Sequence, residues 1–179
     1  MKFIIGCILY MLVINIPDNV YADYAAIQWF IDEMRNIFCD EPKSCENGWQ
    51  HFEGHCYHIP REKATWDDAK KICRELGGHL VKIENREENE WLKSQVIRKN
   101  DTEILIGLNA MENENVWRWE ADGSLATFLD WHKDEPKNLQ CGQYWFHDNF
   151  YAFDDTYCDI AHLFICEKVL TSETEKIYR

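Results

Sequence analysis

The apolar positions of this chain change period along its length, and each change marks an element. Between residues 24 and 38, Ile27, Phe30, Ile31, Met34, Ile37 and Phe38 share one helical face, with Trp29 off it. Positions 27, 30, 34 and 37 follow the three-four alternation of a coiled-coil seam, and Asp40, Glu41 and Pro42 end the helix. The period then shortens. Gly48–Phe52 and Cys56–Ile59 read as a hairpin. Thr65 caps a helix, with Asp68 three residues on; Trp66, Ala69, Ile72, Cys73 and Leu76 form its apolar face, and Gly77-Gly78 stops it. Leu80, Val81 and Ile83 read as a strand. Asn85 caps a second helix, with Glu88 at the capping-box position and Trp91, Leu92 and Val96 apolar. Ile104–Leu108 is a buried strand, Trp117-Arg118-Trp119 alternates before an Asp122-Gly123 turn, and Gly142–Phe146 and Leu163–Glu167 are further strands. Two early helices followed by short strands and long loops predict an α+β domain.

The first residues carry a different pattern. Lys2 precedes an apolar run from Phe3 to Ile16, and Val20 and Ala22 follow around Tyr21. This predicts a secretory signal over residues 1–22, cleaved after Ala22. The run of about 14 residues is short of the roughly 20 that a membrane anchor needs. A secreted, extracellular protein without membrane insertion is the expectation. The signal holds one basic residue, Lys2, and one acidic residue, Asp18, so its loss leaves the net charge of −13 unchanged. That charge argues against nucleic acid or anionic membranes as partners and suits cations. The acid is spread along the chain and forms no long run.

Of eight cysteines, Cys7 falls in the signal. The remaining odd number leaves six, from Cys45 to Cys166, to pair within the domain, and one over. Six cysteines allow 15 pairings. Cys45 and Cys56 flank the first hairpin, and Cys141 and Cys158 flank a strand-turn-strand stretch, so local bridges are natural there. Cys73 would then close a long loop with Cys166. The odd one is Cys39, directly after the apolar helix. Residues 23–44 therefore read as a stalk, with residues 24–39 joining copies into a disulfide-linked homodimer or oligomer; the plainer alternative is a helix packed on its own domain. Asn100-Asp101-Thr102 is a glycosylation sequon expected on the surface.

From Cys45 to Lys168 the chain resembles the C-type lectin-like domain in its long form. Gly48-Trp49 with Cys56-Tyr57 resembles the family's first hairpin. Trp66-Asp67-Asp68-Ala69, Cys73 and Gly77-Gly78-His79-Leu80 resemble its first helix and next strand. Leu105-Ile106-Gly107-Leu108 stands where the family has Trp-Ile-Gly-Leu, Trp117-Arg118-Trp119, Asp122-Gly123-Ser124 and Trp131 follow, and Phe164-Ile165-Cys166-Glu167 closes it. The resemblance implies the bridges Cys45–Cys56, Cys73–Cys166 and Cys141–Cys158, a C-terminal tail from residue 169, and a style similar to secreted, perlucin-like invertebrate lectins.

In such lectins a calcium ion bridges protein and sugar, and calcium takes 6–8 oxygen ligands. The family's Glu-Pro-Asn loop reads Glu135-Pro136-Lys137 here, and its Trp-Asn-Asp motif reads Phe153-Asp154-Asp155. Glu135, Asp154 and Asp155 remain as oxygen donors, whereas Lys137 has no acceptor and repels a cation. Only Lys137, Asn138, Leu139 and Gln140 separate Pro136 from Cys141, so the further glutamate usual before the cysteine is missing. At the auxiliary site Ala110 replaces an aspartate while Glu114 is kept. Calcium is therefore expected to bind weakly or not at all, with the Lys137 ammonium neutralising the three acids instead. Trp131, Tyr144, Trp145 and Phe146 are candidate aromatic sugar contacts, although much of that set must be core.

His51, His55 and His58 invite a zinc reading, but alternation puts His58 opposite the other two. No catalytic or phosphate-binding motif occurs, so no enzyme is expected. The sequence predicts a secreted lectin for microbial or matrix glycans and glycoproteins. The alternatives are a calcium-independent protein-binding module and a structural protein of mineral or extracellular matrix.

Overall fold

The computed structural model describes residues 44–97 and 102–170. The expected signal over residues 1–22, the expected helix of residues 24–38, Cys39 and Asn100 lie outside the described residues.

Among the described residues, two helices and nine short strands build the unit Cys45–Leu170. Strand β1 (Gln50–Phe52) turns at Glu53 and Gly54 into β2 (His55–His58). Helix α1 (Trp66–Glu75) begins where the Thr65 hydroxyl accepts a hydrogen bond from the Asp68 amide. Gly77, at φ 79°, ends it, because the left-handed turn there carries no Cβ penalty. β3 (His79–Leu80) leads to α2 (Arg86–Val96), which is capped by Asn85 accepting from the Glu88 amide at 2.8 Å. Both caps follow the sequence reading.

The strands form two sheets. The first runs β1-β2-β9-β3, with β9 spanning Cys166–Val169. The second runs β5-β4-β6-β7: β4 is Glu103–Asn109, β5 is Arg118–Trp119, β6 is Cys141–His147 and β7 is Phe150–Thr156. β8 (Leu163–Phe164) pairs parallel to β4.

Two strands differ from the expectation. Val81 and Ile83 are fully buried but lie outside β3. After Leu80 the chain leaves the β9 ladder: the Val81 amide bonds Ile165 O and its carbonyl accepts from Gly107, so Val81 bridges toward β4. The single strand expected over 163–167 is interrupted at Ile165, whose amide donates to Leu105 O as the chain passes from the second sheet to the first.

The core lies between these layers. Ile104, Leu105, Ile106 and Leu108 of β4 are fully buried. Trp66 carries α1 onto that strand, donating from Nε1 to Ile106 O at 2.9 Å while its rings are buried. Such a side chain contributes about 1.5–3 kcal/mol by leaving water. Gly107 permits the approach of β3 to β4, since a Cβ there would meet Leu80 O and Val81 O at 2.8 Å. Disulfides join Cys45 to Cys56, Cys73 to Cys166 and Cys141 to Cys158, as the resemblance implies.

The Cys73–Cys166 bridge spans 93 residues, the longest of the three loops. Closing so long a loop restricts the unfolded chain most. Replacing both cysteines by alanine is expected to lower the unfolding free energy by about 2–5 kcal/mol. Urea denaturation of the two proteins checks it, and an unchanged midpoint would contradict it.

Candidate functional site

The site is built where the loop 131–140 lies against the β6–β7 hairpin. The hairpin turns at Asp148 and Asn149, whose φ values of 51° and 69° suit the residues that tolerate a left-handed turn. Its register then pairs Gln143 with Asp154 and Gly142 with Asp155. The loop docks by backbone bonds: His132 donates to Phe153 O and Phe153 to Asp130 O, both at 2.7 Å. Asp130 is held from behind by Asn89 Nδ2 at 2.7 Å and Lys93 Nζ at 2.5 Å. Asn89 in turn accepts from the buried Tyr144 hydroxyl at 2.7 Å. A polar chain from α2 thus fixes the loop that carries Glu135.

Glu135, Asp154 and Asp155 come together, with one ligand atom of each within 4.8 Å of the others. Lys137 joins them. Its Nζ lies 2.6 Å from Glu135 Oε1; the Glu135 side chain is 2% exposed and the Lys137 side chain 67%. That hydrogen bond, with the field of all three acids, holds the lysine above its usual range. Asp155 is buried and organises the backbone, accepting from the Lys137 amide at 2.8 Å through Oδ1 and from the Leu139 amide through Oδ2. Asp154 Oδ2 accepts from Gln143 Nε2 at 2.8 Å. Burial is the main cause that pushes Asp154 up to about 6; the Gln143 bond pulls the other way, and Glu135 and Asp155 add to the rise.

This arrangement tests the calcium expectation. Asp155 gives both oxygens to amides, Glu135 gives Oε1 to an ammonium, and Asp154 gives Oδ2 to an amide. Calcium needs 6–8 oxygens, and a resident ammonium opposes it. As arranged, this donor set does not fit a calcium ion. Among the described residues the trio is the group whose ligand atoms gather in this way; Glu114 is exposed and outside it, and Ala110 is buried.

The aromatic candidates separate. Tyr144 is fully buried and belongs to the core share of that set, on the stretch of β6 from Cys141 to Tyr144 that is buried throughout. Trp131 is partly buried and packs edge-on against Trp117 and Phe153, at 4.8 and 6.1 Å between centroids. Trp145 is partly exposed and stacks on His147 at 4.3 Å; Phe146 is 37% exposed. The three hairpin histidines do not converge. Nε2 of His51 accepts from the Gly54 amide, His55 meets the buried Glu167 at 2.5 Å, and His58 meets Gly48 O at 2.8 Å.

Sequence reasoning missed Gln143 and the Leu139 amide. The cue for Gln143 lay in the chain: a two-residue turn at Asp148-Asn149 sets 147 opposite 150, hence 143 opposite 154. No cue marks Leu139, because its role is a backbone one.

Residues 62–168 match the Lectin C-type domain family. The chain belongs to that family. A perlucin-like protein from Mytilus galloprovincialis is 33% identical over 134 residues, covering 72% of this chain and 85% of the relative. Among solved structures, the mouse scavenger receptor C-type lectin carbohydrate-recognition domain superposes with a TM-score of 0.66 at 30% identity, over 72% of this chain and all of that one. A calcium-independent type II antifreeze protein superposes with a TM-score of 0.64 at 26% identity, covering 73% and 98%.

The rise of Asp154 has a sign. A carboxyl raised by folding binds its proton more tightly in the native state, so it adds stability at low pH that is lost as pH climbs from about 4 through about 6. Asp154→Asn is expected to stabilise the domain at pH 7, by about 1 kcal/mol once solvent screening of this half-buried group is discounted, and to leave it unchanged at pH 4. Calorimetric melting at both pH values is the check. Equal destabilisation at both would contradict the assignment.

Proposed function

We propose that this chain is a secreted lectin that binds extracellular glycans, on microbes or in matrix, without depending on calcium. The observation that carries the reading is the Lys137 ammonium at 2.6 Å from Glu135, within the acidic trio. It supplies the positive charge that holds three carboxylates together, so the loop keeps its shape without a metal. Family membership supports the sugar-binding half of the reading. Fold likeness does not decide the other half, since a calcium-independent and a calcium-dependent type II antifreeze protein superpose equally well, each with a TM-score of 0.64; it rests on the lysine alone. Sugar hydroxyls would meet Glu135, Lys137 and Asp154, with Trp145, partly exposed and on the same face of β6 as Gln143, as the aromatic. Secretion through residues 1–22, linkage of copies through residues 24–39 and Cys39, and a glycan on Asn100 complete the proposal. No helix among the described residues is long and apolar enough to cross a membrane.

A glycan array probed in calcium and again in chelator tests the reading directly. Binding that persists in chelator is the expected result; loss of every signal in chelator would overturn it. Calorimetry gives a second test. Calcium is expected to bind the native protein weakly or not at all, and Lys137→Asn to gain about tenfold or more, because an amide oxygen replaces a repelling charge. Tight native binding that is lost in Glu135→Gln and Asp155→Asn would show that the lysine does not hold the site.

A further inference from the structure

Three carboxylates share one ammonium at this site, so a negative charge of two remains beside it. Two buried acceptors there also lack donors. Glu135 Oε2 and Gln143 Oε1 have no hydrogen-bond partner, although Glu135 has a side chain only 2% exposed and Gln143 is 2% exposed. Both residues flank Asp154: Gln143 Nε2 donates to its Oδ2 at 2.8 Å, and Glu135 offers an oxygen within 4.8 Å. Native proteins rarely leave such groups unpaired.

The vacant groups are acceptors, and they sit in a field that favours positive charge. A hydroxyl brings one donor and no charge. A calcium ion needs more oxygens than are free. A primary ammonium brings three donors, one full charge and no acceptor to be wasted. Lys137 shows that an ammonium can approach the cluster, since its own reaches Glu135 Oε1, while Glu135 Oε2 and Gln143 Oε1 stay unpaired with it in place. Its side chain is 67% exposed, so it can turn into solvent and leave the place to another amine.

We propose that the Glu135–Asp154–Gln143 cluster recognises the protonated amine of a 2-amino sugar, with Lys137 as the internal competitor that occupies the place in its absence. This rests on the carbohydrate-binding reading and gives it a ligand class: glycans carrying free amino groups, in preference to their N-acetylated or neutral counterparts. N-acetylation removes the charge and leaves one N–H, so it should abolish recognition.

The test uses the full chain at pH 7 with glucosamine oligomers and the same oligomers fully N-acetylated, followed by calorimetry. The free-amine oligomer is expected to bind at least tenfold more tightly and to weaken with added salt. Lys137→Met should raise its affinity severalfold by removing the competitor. Glu135→Gln and Asp154→Asn should each lower it about tenfold while the circular dichroism spectrum stays native. An acidic protein attracts cationic oligomers in general, but each of these variants changes a single charge out of the net −13. A free-amine preference that survives both would therefore overturn the proposal as bulk attraction. Equal binding of the two oligomers would overturn it while leaving the lectin reading intact. Lysine amide competing as well as glucosamine, through Glu135, would assign the site to protein lysines and overturn the sugar assignment. Failure of every glycan, amine or neutral, would remove the lectin reading with it.

Discussion

One short segment, Leu163–Val169, belongs to both sheets, and the rest of the domain depends on how it crosses. Leu163 and Phe164 pair parallel to β4; Cys166–Val169 slots between β2 and β3. Ile165 sits at the crossing, fully buried, with its amide on Leu105 and its carbonyl taken by Val81. The two sheets therefore cannot separate without breaking the same few bonds. The constraint is reinforced twice. Cys73 ties α1 to Cys166, and the buried Glu167 accepts from the Lys82 amide at 2.8 Å and meets His55 at 2.5 Å. Charged groups are almost never buried unless paired, and this one is paired across three elements. Such a pairing adds more to specificity of register than to net stability, since the desolvation of Glu167 offsets much of its attraction.

That closed frame allows the loop 131–140 to be irregular. Its backbone has few partners of its own and borrows them: Phe153 from β7, the Asp155 side chain, and Ala110, whose amide donates to Gln140 O at 2.9 Å. Asp134 and Asn138 both stand at positive φ, 68° and 73°, which residues with short polar side chains tolerate best. The Asp155 carboxylate thus acts as an internal capping group for a loop whose own backbone bonds are few, that from the Glu135 amide to His132 O among them. A carboxylate used in this way has its lone pairs directed at N–H groups, and its capacity to coordinate a cation falls accordingly.

Much of this was legible in the chain. Thr65, Asn85 and the Gly77-Gly78 pair announce helix ends through local chemistry that tertiary structure had no reason to override. The Glu135, Asp154 and Asp155 trio was implied by the family resemblance, and of the three acids it is Glu135 that the Lys137 ammonium meets. What was not legible needed three dimensions. Val81 and Ile83 read as strand because they are apolar and β-branched, yet their alternation with Lys82 serves burial between sheets and not a ladder. Leu163–Glu167 read as one strand because nothing in its side chains marks the change of sheet at Ile165; only the partners across it do. Nor does the chain mark which of its candidate aromatics are core: Tyr144 is fully buried with its hydroxyl donating to Asn89, whereas Trp145 and Phe146 beside it reach the surface.

Lys137 exposes a distinction that motif reading tends to blur. A metal in such a loop performs two tasks: it neutralises carboxylates, and it presents directed coordination positions to a ligand. An ammonium performs the first. It brings a single charge and three donors that can rotate on a flexible stem, so it holds Glu135 without fixing a ligand's geometry. The free energy that keeps the loop in shape is then decoupled from the specificity of what binds there. On the proposed reading, specificity would fall to the fixed groups, the carboxylate of Asp154 and the amide of Gln143, which are positioned by strand register. Register is set by the Asp148-Asn149 turn, so the turn that closes the hairpin also aligns the acceptors. A change of one residue in its length would shift Gln143 out of line with Asp154 and dissolve the cluster while leaving the acidic motif intact in the sequence.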